Sequence, residues 1–269
     1  MDDAALDQLK AGQKAVWGMG DYRKIALLTD DVAGPLVDAC AISAGQEVLD
    51  VAAGTGNVAV RAAREGAAVT ASDLSPDLIE IGNARCAEEG LDVAWTEADV
   101  EDLPFADASF DCVASVFGAM FAPRPERAAQ EMFRVVRPGN TVGMANWAPE
   151  SSVGRTFGLI RDFAPPPEGV PSPFDWGVEE IVRERLGPHA GTVEIERRNC
   201  DWSFESREAA LEYFGNAGPQ AALKAGLTEQ GRYEEFRERA WALMDELSVG
   251  EEGVRLQPEY LLVVARKRG

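Results

Sequence analysis

EVLDVAAGTGNVAVRAAREG, residues 47–66, decides the fold. Residues 47–52 form a short apolar run that reads as a strand. The run breaks into the small-residue turn Ala53-Gly54-Thr55-Gly56, and a helix is expected from about Asn57 to Glu65. Small residues let a backbone approach a ligand closely, while the start of the next helix offers unpaired N–H groups and a positive dipole end. Taken alone the turn is unspecific, since Gly54-x-Gly56-x-x-Ala59 also satisfies the relaxed dinucleotide fingerprint.

Downstream, the same rhythm continues. Residues 68–72 (AVTAS) read as a second strand, and Ser75-Pro76 gives a good N-cap and first helical residue. Strands follow at 92–96, 110–116 and 141–147. A helix from about Glu126 to Val136 is expected to stop at Arg137-Pro138-Gly139. Strands alternating with helices at this spacing specify an α/β, doubly wound parallel sheet covered on both faces. Upstream, residues 1–44 read as two helices, the second interrupted at Gly34-Pro35. Past Trp147 the rhythm is lost. Residues 148–178 are rich in proline and glycine and read as an inserted loop or lid. A helix at 179–186, a strand at 191–204, mostly helix at 207–247 and a last strand at 260–266 complete the chain. One domain over 1–269 is expected, with a helical lid (1–44), a cofactor-binding core (45–147), an acceptor-side cap (148–250) and a C-terminal strand (251–269).

The chain has 269 residues, ample for a real core. It carries 46 Asp and Glu against 26 Lys and Arg, a net charge of −20 that repels nucleic-acid phosphates and anionic lipid. No apolar run is long enough for a membrane helix, and MDDAALDQLK is acidic where a signal peptide would be basic. No nucleic-acid or membrane partner is expected, and the location expected is cytoplasmic, as a monomer or homodimer. Cys40, Cys86, Cys112 and Cys200 are scattered, so neither a zinc site nor a disulfide framework is supported.

Two carboxylates give the turn a ligand. Asp73 ends the second strand, 23 residues past Asp50, where it can accept hydrogen bonds from both ribose hydroxyls of a nucleoside. Asp99 sits beyond the third strand, beside the switch point of the sheet, and can accept from an exocyclic amine such as that of adenine.

The runs LDVAAGTGN, ASDLS, EADVEDLPFADASFDCVAS, EMFRVVRPGN and VGMANW together resemble the class I S-adenosylmethionine-dependent methyltransferases. Within them the likeness is greatest to the branch of the ubiquinone and menaquinone C-methyltransferases and many small-molecule methyltransferases. The resemblance covers about residues 45–147. It implies a Rossmann-like seven-stranded sheet with an antiparallel last strand, S-adenosyl-L-methionine as cofactor and S-adenosyl-L-homocysteine as product. It implies further that Asp50 steadies the glycine turn and the cofactor's amino group, while Gly54 and Gly56 let the backbone pass the methionine part and ribose. Asp73 would hold the ribose, Leu74 would lie against the adenine, and Asp99 with the backbone of Val100 would read its edge. Ser115 and Phe117 would line the methionine part. One departure stands in the motif: the family's usual first glycine is Ala52 here.

Methyl transfer from a sulfonium asks the protein mainly to align acceptor, methyl and sulfur and to exclude water. No general base is assigned from sequence, and His189, the only histidine, reads as a surface turn residue. No metal is expected, because the segments after the fourth and fifth strands carry no carboxylates. Candidates for an apolar or aromatic acceptor pocket are Trp17 and Tyr22 in the lid, Met120, Trp147, and Phe174 and Trp176 in the insertion. Two other readings were weighed, a nicotinamide-dependent oxidoreductase and a non-catalytic cofactor-binding protein. Against the first, there is no Tyr-x-x-x-Lys pair and Asp99 has no role there.

Overall fold

A computed structural model describes residues 3–269, so the first two residues of the expected lid lie outside the described residues. Two helices come first, α1 (Asp3–Trp17) and α2 (Tyr22–Ala39). The alternating part follows as β1 (Glu47–Val51), α3 (Asn57–Arg64), β2 (Ala68–Asp73), α4 (Pro76–Glu88), β3 (Val93–Glu97), β4 (Phe110–Val116), α5 (Pro125–Val135) and β5 (Val136–Trp147). The rest comprises α6 (Ser152–Phe163), α7 (Glu179–Leu186), β6 (Ala190–Asn199), β7 (Trp202–Phe204), α8 (Arg207–Phe214), α9 (Gly218–Glu229), α10 (Tyr233–Leu247), β8 (Val254–Leu256) and β9 (Glu259–Lys267).

Among the described residues the main sheet has seven strands in the order β3-β2-β1-β4-β5-β9-β6. The first five pair in parallel, and β9 runs antiparallel between β5 and β6. Val48, Leu49, Val51, Val113 and Ala114 are fully enclosed, as strands covered on both faces require. The order reverses between β1 and β4, and a crevice opens there at the carboxyl ends of the strands. No helix among the described residues is long and apolar enough to cross a membrane.

Four local expectations are corrected. First, α2 runs unbroken through Pro35. The hydrogen bond that proline removes would have gone to the carbonyl of Asp31, an exposed residue whose carbonyl water can serve. The helix is no lid along most of its length. Val32, Ala33, Leu36 and Val37 form a buried stripe against the sheet, and Gly143 on β5 lets it close in, since a Cβ there would run into Cys40 Sγ. Second, residues 148–178 are not an open loop: they hold α6 and a tight 3₁₀ turn at Pro173–Gly177. Third, the strand expected over 191–204 splits, with β6 joining the main sheet and β7 pairing β8 in a separate ribbon. Fourth, α5 stops just before Arg137-Pro138-Gly139 as expected, but the strand expected over 141–147 starts earlier and takes those residues into β5. The pairing to β4 jumps from Phe110–Val136 to Cys112–Thr141, and the intervening residues bulge out around Gly139 in a left-handed conformation.

The helices after β5 carry their own apolar cluster, in which Leu159 and Phe163 of α6 meet Leu211 of α8, Leu227 of α9, and Phe236 and Met244 of α10. Residues of this cap and of the strand ends line one crevice together.

Candidate functional site

The turn after β1 is built from left-handed residues: Ala52 at φ 48°, Gly54 at φ 56° and Gly56 at φ 83°. That geometry explains why glycine is usual at the first of these places, since alanine tolerates it only at a cost of about 1 kcal/mol. The Ala52 methyl is accommodated across the crevice by Gly118, where a Cβ would strike the carbonyl and methyl of Ala52. Phe117 is also left-handed, at φ 58°. It is fixed there by its N–H, which donates to the Ala145 carbonyl at 2.9 Å, and by its ring, stacked 3.6 Å from that of Trp147. Such a conformation persists only where the surroundings over-determine it.

Asp50, at the buried end of β1, accepts the Ala59 N–H through Oδ2 at 2.9 Å and so ties the start of α3 to the strand. Its Oδ1 is buried and has no hydrogen-bond partner among the described residues. Burial, with the Asp73 charge nearby, pushes the Asp50 carboxyl up to about 8. Such a carboxyl is mostly neutral while it lacks a partner, and a cationic donor reaching its unmet oxygen would draw it into the charged form that receives the donor. Asp73 accepts the Gly54 N–H through Oδ2 and the Ser75 N–H through Oδ1, both at 2.8 Å. It is therefore a brace for the glycine turn as well as a group with lone pairs to spare, and burial raises its carboxyl too. At the end of β2, it is buried.

Asp99 is engaged on both oxygens: Oδ1 accepts the Glu101 N–H at 2.9 Å and Oδ2 meets the Lys10 ammonium at 2.5 Å. Lys10 also holds the fully buried Glu101, which Arg124 Nε meets at 2.8 Å. These pairs pin α1 over the end of β3. Lys10 went unnoticed in the sequence because nothing local marks a helical lysine as facing two carboxylates some ninety residues away.

One cavity of about 240 Å³ spans the crevice and the cap. Of the residues singled out from sequence, it brings together Asp50, Ala52, Gly54, Asp73, Leu74, Asp99, Val100 and Phe117. Trp17, Tyr22 and Trp147 line it too, Trp17 meeting Tyr22 edge-on at 5.9 Å. Five others do not line it. Gly56 faces Trp95, whose ring lies where a Cβ would go, so its part is to let α3 start. Ser115 is spent on internal bonds, donating to the Val51 carbonyl at 2.8 Å and accepting the Ala119 N–H at 3.0 Å. Met120 is buried in the turn beneath it. Phe174 and Trp176 sit in the 3₁₀ turn that packs on β5, where Gly177 lies against the Trp147 carbonyl. Here the segment that reads as an inserted loop or lid is part of the main core. Phe174 packs on Phe157, 5.2 Å away, which lines the cavity.

What the sequence reading missed is the cap wall. Thr156 and Phe157 of α6, Gln220 and Lys224 of α9, and Tyr233 and Phe236 of α10 all face the cavity. The spacing Phe236, Ala240, Met244, Leu247 marks a helix with one apolar face, and that signal does not separate a core from a ligand wall. His189 is half-buried, stacked on Phe133 at 5.4 Å, and its imidazole is held below its ordinary value by burial. It lies outside the cavity. Among the described residues no group of three or more histidines, cysteines or carboxylates is placed to hold a metal ion.

Comparison with known proteins agrees with this geometry. Residues 48–139 match a family model described as a methyltransferase domain. An uncharacterized protein of Mycobacterium tuberculosis is 37% identical over 273 residues, covering 97% of this chain and 96% of its own. A ubiquinone/menaquinone biosynthesis C-methyltransferase of Nitrobacter hamburgensis is 42% identical over 97 residues, 34% of this chain and 38% of that protein. The fold is shared with an N-methyltransferase of Haemonchus contortus solved with phosphomonomethylethanolamine and S-adenosylhomocysteine. That match has a TM-score of 0.55 at 17% identity and covers 89% of this chain and 53% of the other.

Proposed function

This chain belongs to the S-adenosylmethionine-dependent methyltransferases, and on that premise we propose that it methylates a small, apolar or aromatic molecule by in-line displacement without a metal ion. The observation that carries the reading is the unmet buried oxygen of Asp50 at the carboxyl end of β1. The cofactor's methionine part bears an ammonium that suits this oxygen, and its ribose bears two hydroxyls that suit the free lone pairs of Asp73. The residues present therefore fit S-adenosylmethionine. When bound, it supplies a methyl group already activated by the positive sulfonium.

The chain's own residues then have three tasks. Asp50, Asp73 and the turn from Ala52 to Gly54 hold the cofactor, with Leu74, Asp99 and Val100 around its adenine end. Phe117, stacked on Trp147, walls the methionine end and keeps water from it. Trp17 and Tyr22, together with the cap helices, orient the acceptor and close over it, the geometric contribution that alone is worth up to roughly 7–11 kcal/mol of barrier in favourable cases. Tyr22 stays a neutral phenol, since burial and the nearby Asp73 charge push its hydroxyl up. It serves as a hydrogen-bond donor rather than a base.

The test is an acceptor screen with methyl-labelled S-adenosylmethionine in excess EDTA, read as S-adenosylhomocysteine release. Turnover of an apolar acceptor that survives chelation, and survives His189→Ala within a few-fold, supports the reading. Activity lost on chelation and restored by Mg²⁺ contradicts the metal-free mechanism.

A further inference from the structure

The cap side of the cavity is mostly apolar, with the hydroxyl residues Ser152 and Thr156 on α6 and a second polar group on α9 and α10. Among the described residues two cations line the cavity, Lys10 and Lys224. Lys10 is held by Asp99 and Glu101. Lys224 has no carboxylate partner among the described residues, and the contact its ammonium makes is with the Tyr233 ring, 6.0 Å away. Acidic residues outnumber basic ones 46 to 26 in this chain. Arginines on or beside the same cap, Arg155, Arg207, Arg239 and Arg255, are each held by a carboxylate. Among the described residues, Lys224 is thus the one cation lining the cavity that no carboxylate holds.

Its surroundings are shaped for a ligand. The Lys224 stem passes Gly215, where a Cβ would lie 3.6 Å from its Cδ. Gln220 stands one turn earlier on the same face of α9 and lines the cavity as well, as does Tyr233 at the start of α10. An ammonium, an amide and a phenol thus offer donors at one place, beside the apolar side chains of Leu211, Leu223, Phe236 and Met244. This place is set off from the cofactor cradle. Gly218, at the start of α9, packs on Tyr22, which adjoins Gly54. Lys224 stands roughly 9 Å further along the helix axis, at 1.5 Å per residue.

We propose that the methyl acceptor is an apolar molecule carrying a carboxylate or similar anion remote from the atom that receives the methyl group, and that Lys224, with Gln220 and Tyr233, receives that anion. The inference rests on the function proposed above and names the acceptor's class. The acidic surface does not oppose it, because at physiological salt exposed charges beyond about 8 Å are largely screened.

Binding tests it, with each of two carboxylates, decanoate and 4-phenylbutanoate, set beside its own alcohol. S-Adenosylhomocysteine is titrated first into the parent, Lys224→Gln and Lys224→Arg, and all three should bind it within about twofold. Each probe is then titrated into the protein saturated with S-adenosylhomocysteine. The parent should prefer a carboxylate to its alcohol by about tenfold or more, the size of one charge-assisted hydrogen bond. Lys224→Gln should lose that preference with alcohol binding unchanged, and Lys224→Arg should keep most of it. Equal binding of acid and alcohol, no binding of any probe, or a preference that survives in Lys224→Gln would overturn the proposal and leave the cofactor site standing. Failure of S-adenosylhomocysteine to bind the parent would instead break the functional reading on which it rests.

Discussion

At the ends of β1 and β2 the cavity is walled by backbone, and its polar groups are tied: Asp73 takes two N–H groups, Asp50 takes one and leaves one oxygen unmet. Across from it, α6 and α8–α10 wall the cavity with side chains packed into a separate apolar cluster. The first wall is fixed by turn geometry and the main sheet, and its chemistry suits one ligand. The second is fixed by helix packing, and its side chains come from helices that share one apolar cluster. The cavity is thus divided between a wall of backbone turns and a wall of side chains.

If the division is real, damage to one wall should spare the other. Phe236→Ala should have the largest effect, costing the cap about 3–5 kcal/mol as a large aromatic lost from a packed site. Proteolysis and amide exchange should rise across α6 and α8–α10, while S-adenosylhomocysteine affinity changes only a few-fold. A parallel collapse of cofactor binding would show the two walls to be one unit. Asp73→Asn comes next, expected to weaken S-adenosylhomocysteine by roughly 10- to 150-fold, or 1.5–3 kcal/mol, with cap exchange unaltered. Asparagine is preferred to alanine there because its one acceptor oxygen keeps one of the two bonds that brace Gly54 and Ser75, whereas alanine loses both.

A third prediction is a pH slope. The Asp50 carboxyl lies at about 8 in the folded chain, above its unfolded value of about 3.9. Its protonated form therefore suits the folded state. The stability this gives is full below the unfolded value and is lost as pH rises through about 8. Between pH 5 and 8 the ligand-free parent should lose stability relative to Asp50→Asn, by at most about 1.4 kcal/mol per pH unit. Denaturation curves of both proteins measure it, and parallel curves would show that Asp50 is not desolvated. The smallest effect is expected from Lys14→Ala, which removes the exposed pair with Glu97 and should change stability by less than about 0.5 kcal/mol.

The same contrast decides what could be read from the chain. That Gly54, Asp73 and Asp99 lie along one crevice was legible because a turn and a strand end constrain residue type locally, at short spacing along the sequence. The antiparallel β9 was legible through family resemblance. Lys10 and Lys224 were not, since their partners and surroundings come from elements far off in sequence. Phe174 and Trp176 misled because proline-rich sequence says nothing about whether a turn is pressed into a core, and Ser115 misled because its hydroxyl serves Val51 and Ala119 instead of a ligand.

The central claim is that the unmet oxygen of Asp50 is the receptor for the cofactor's ammonium. Calorimetric titration of S-adenosylhomocysteine into the parent and Asp50→Asn, with 5′-methylthioadenosine (which lacks the amino acid part) as the second ligand, tests it most directly. Asp50→Asn should weaken S-adenosylhomocysteine by at least about tenfold and leave 5′-methylthioadenosine within about twofold. Equal losses for both ligands, or no loss for either, would contradict it.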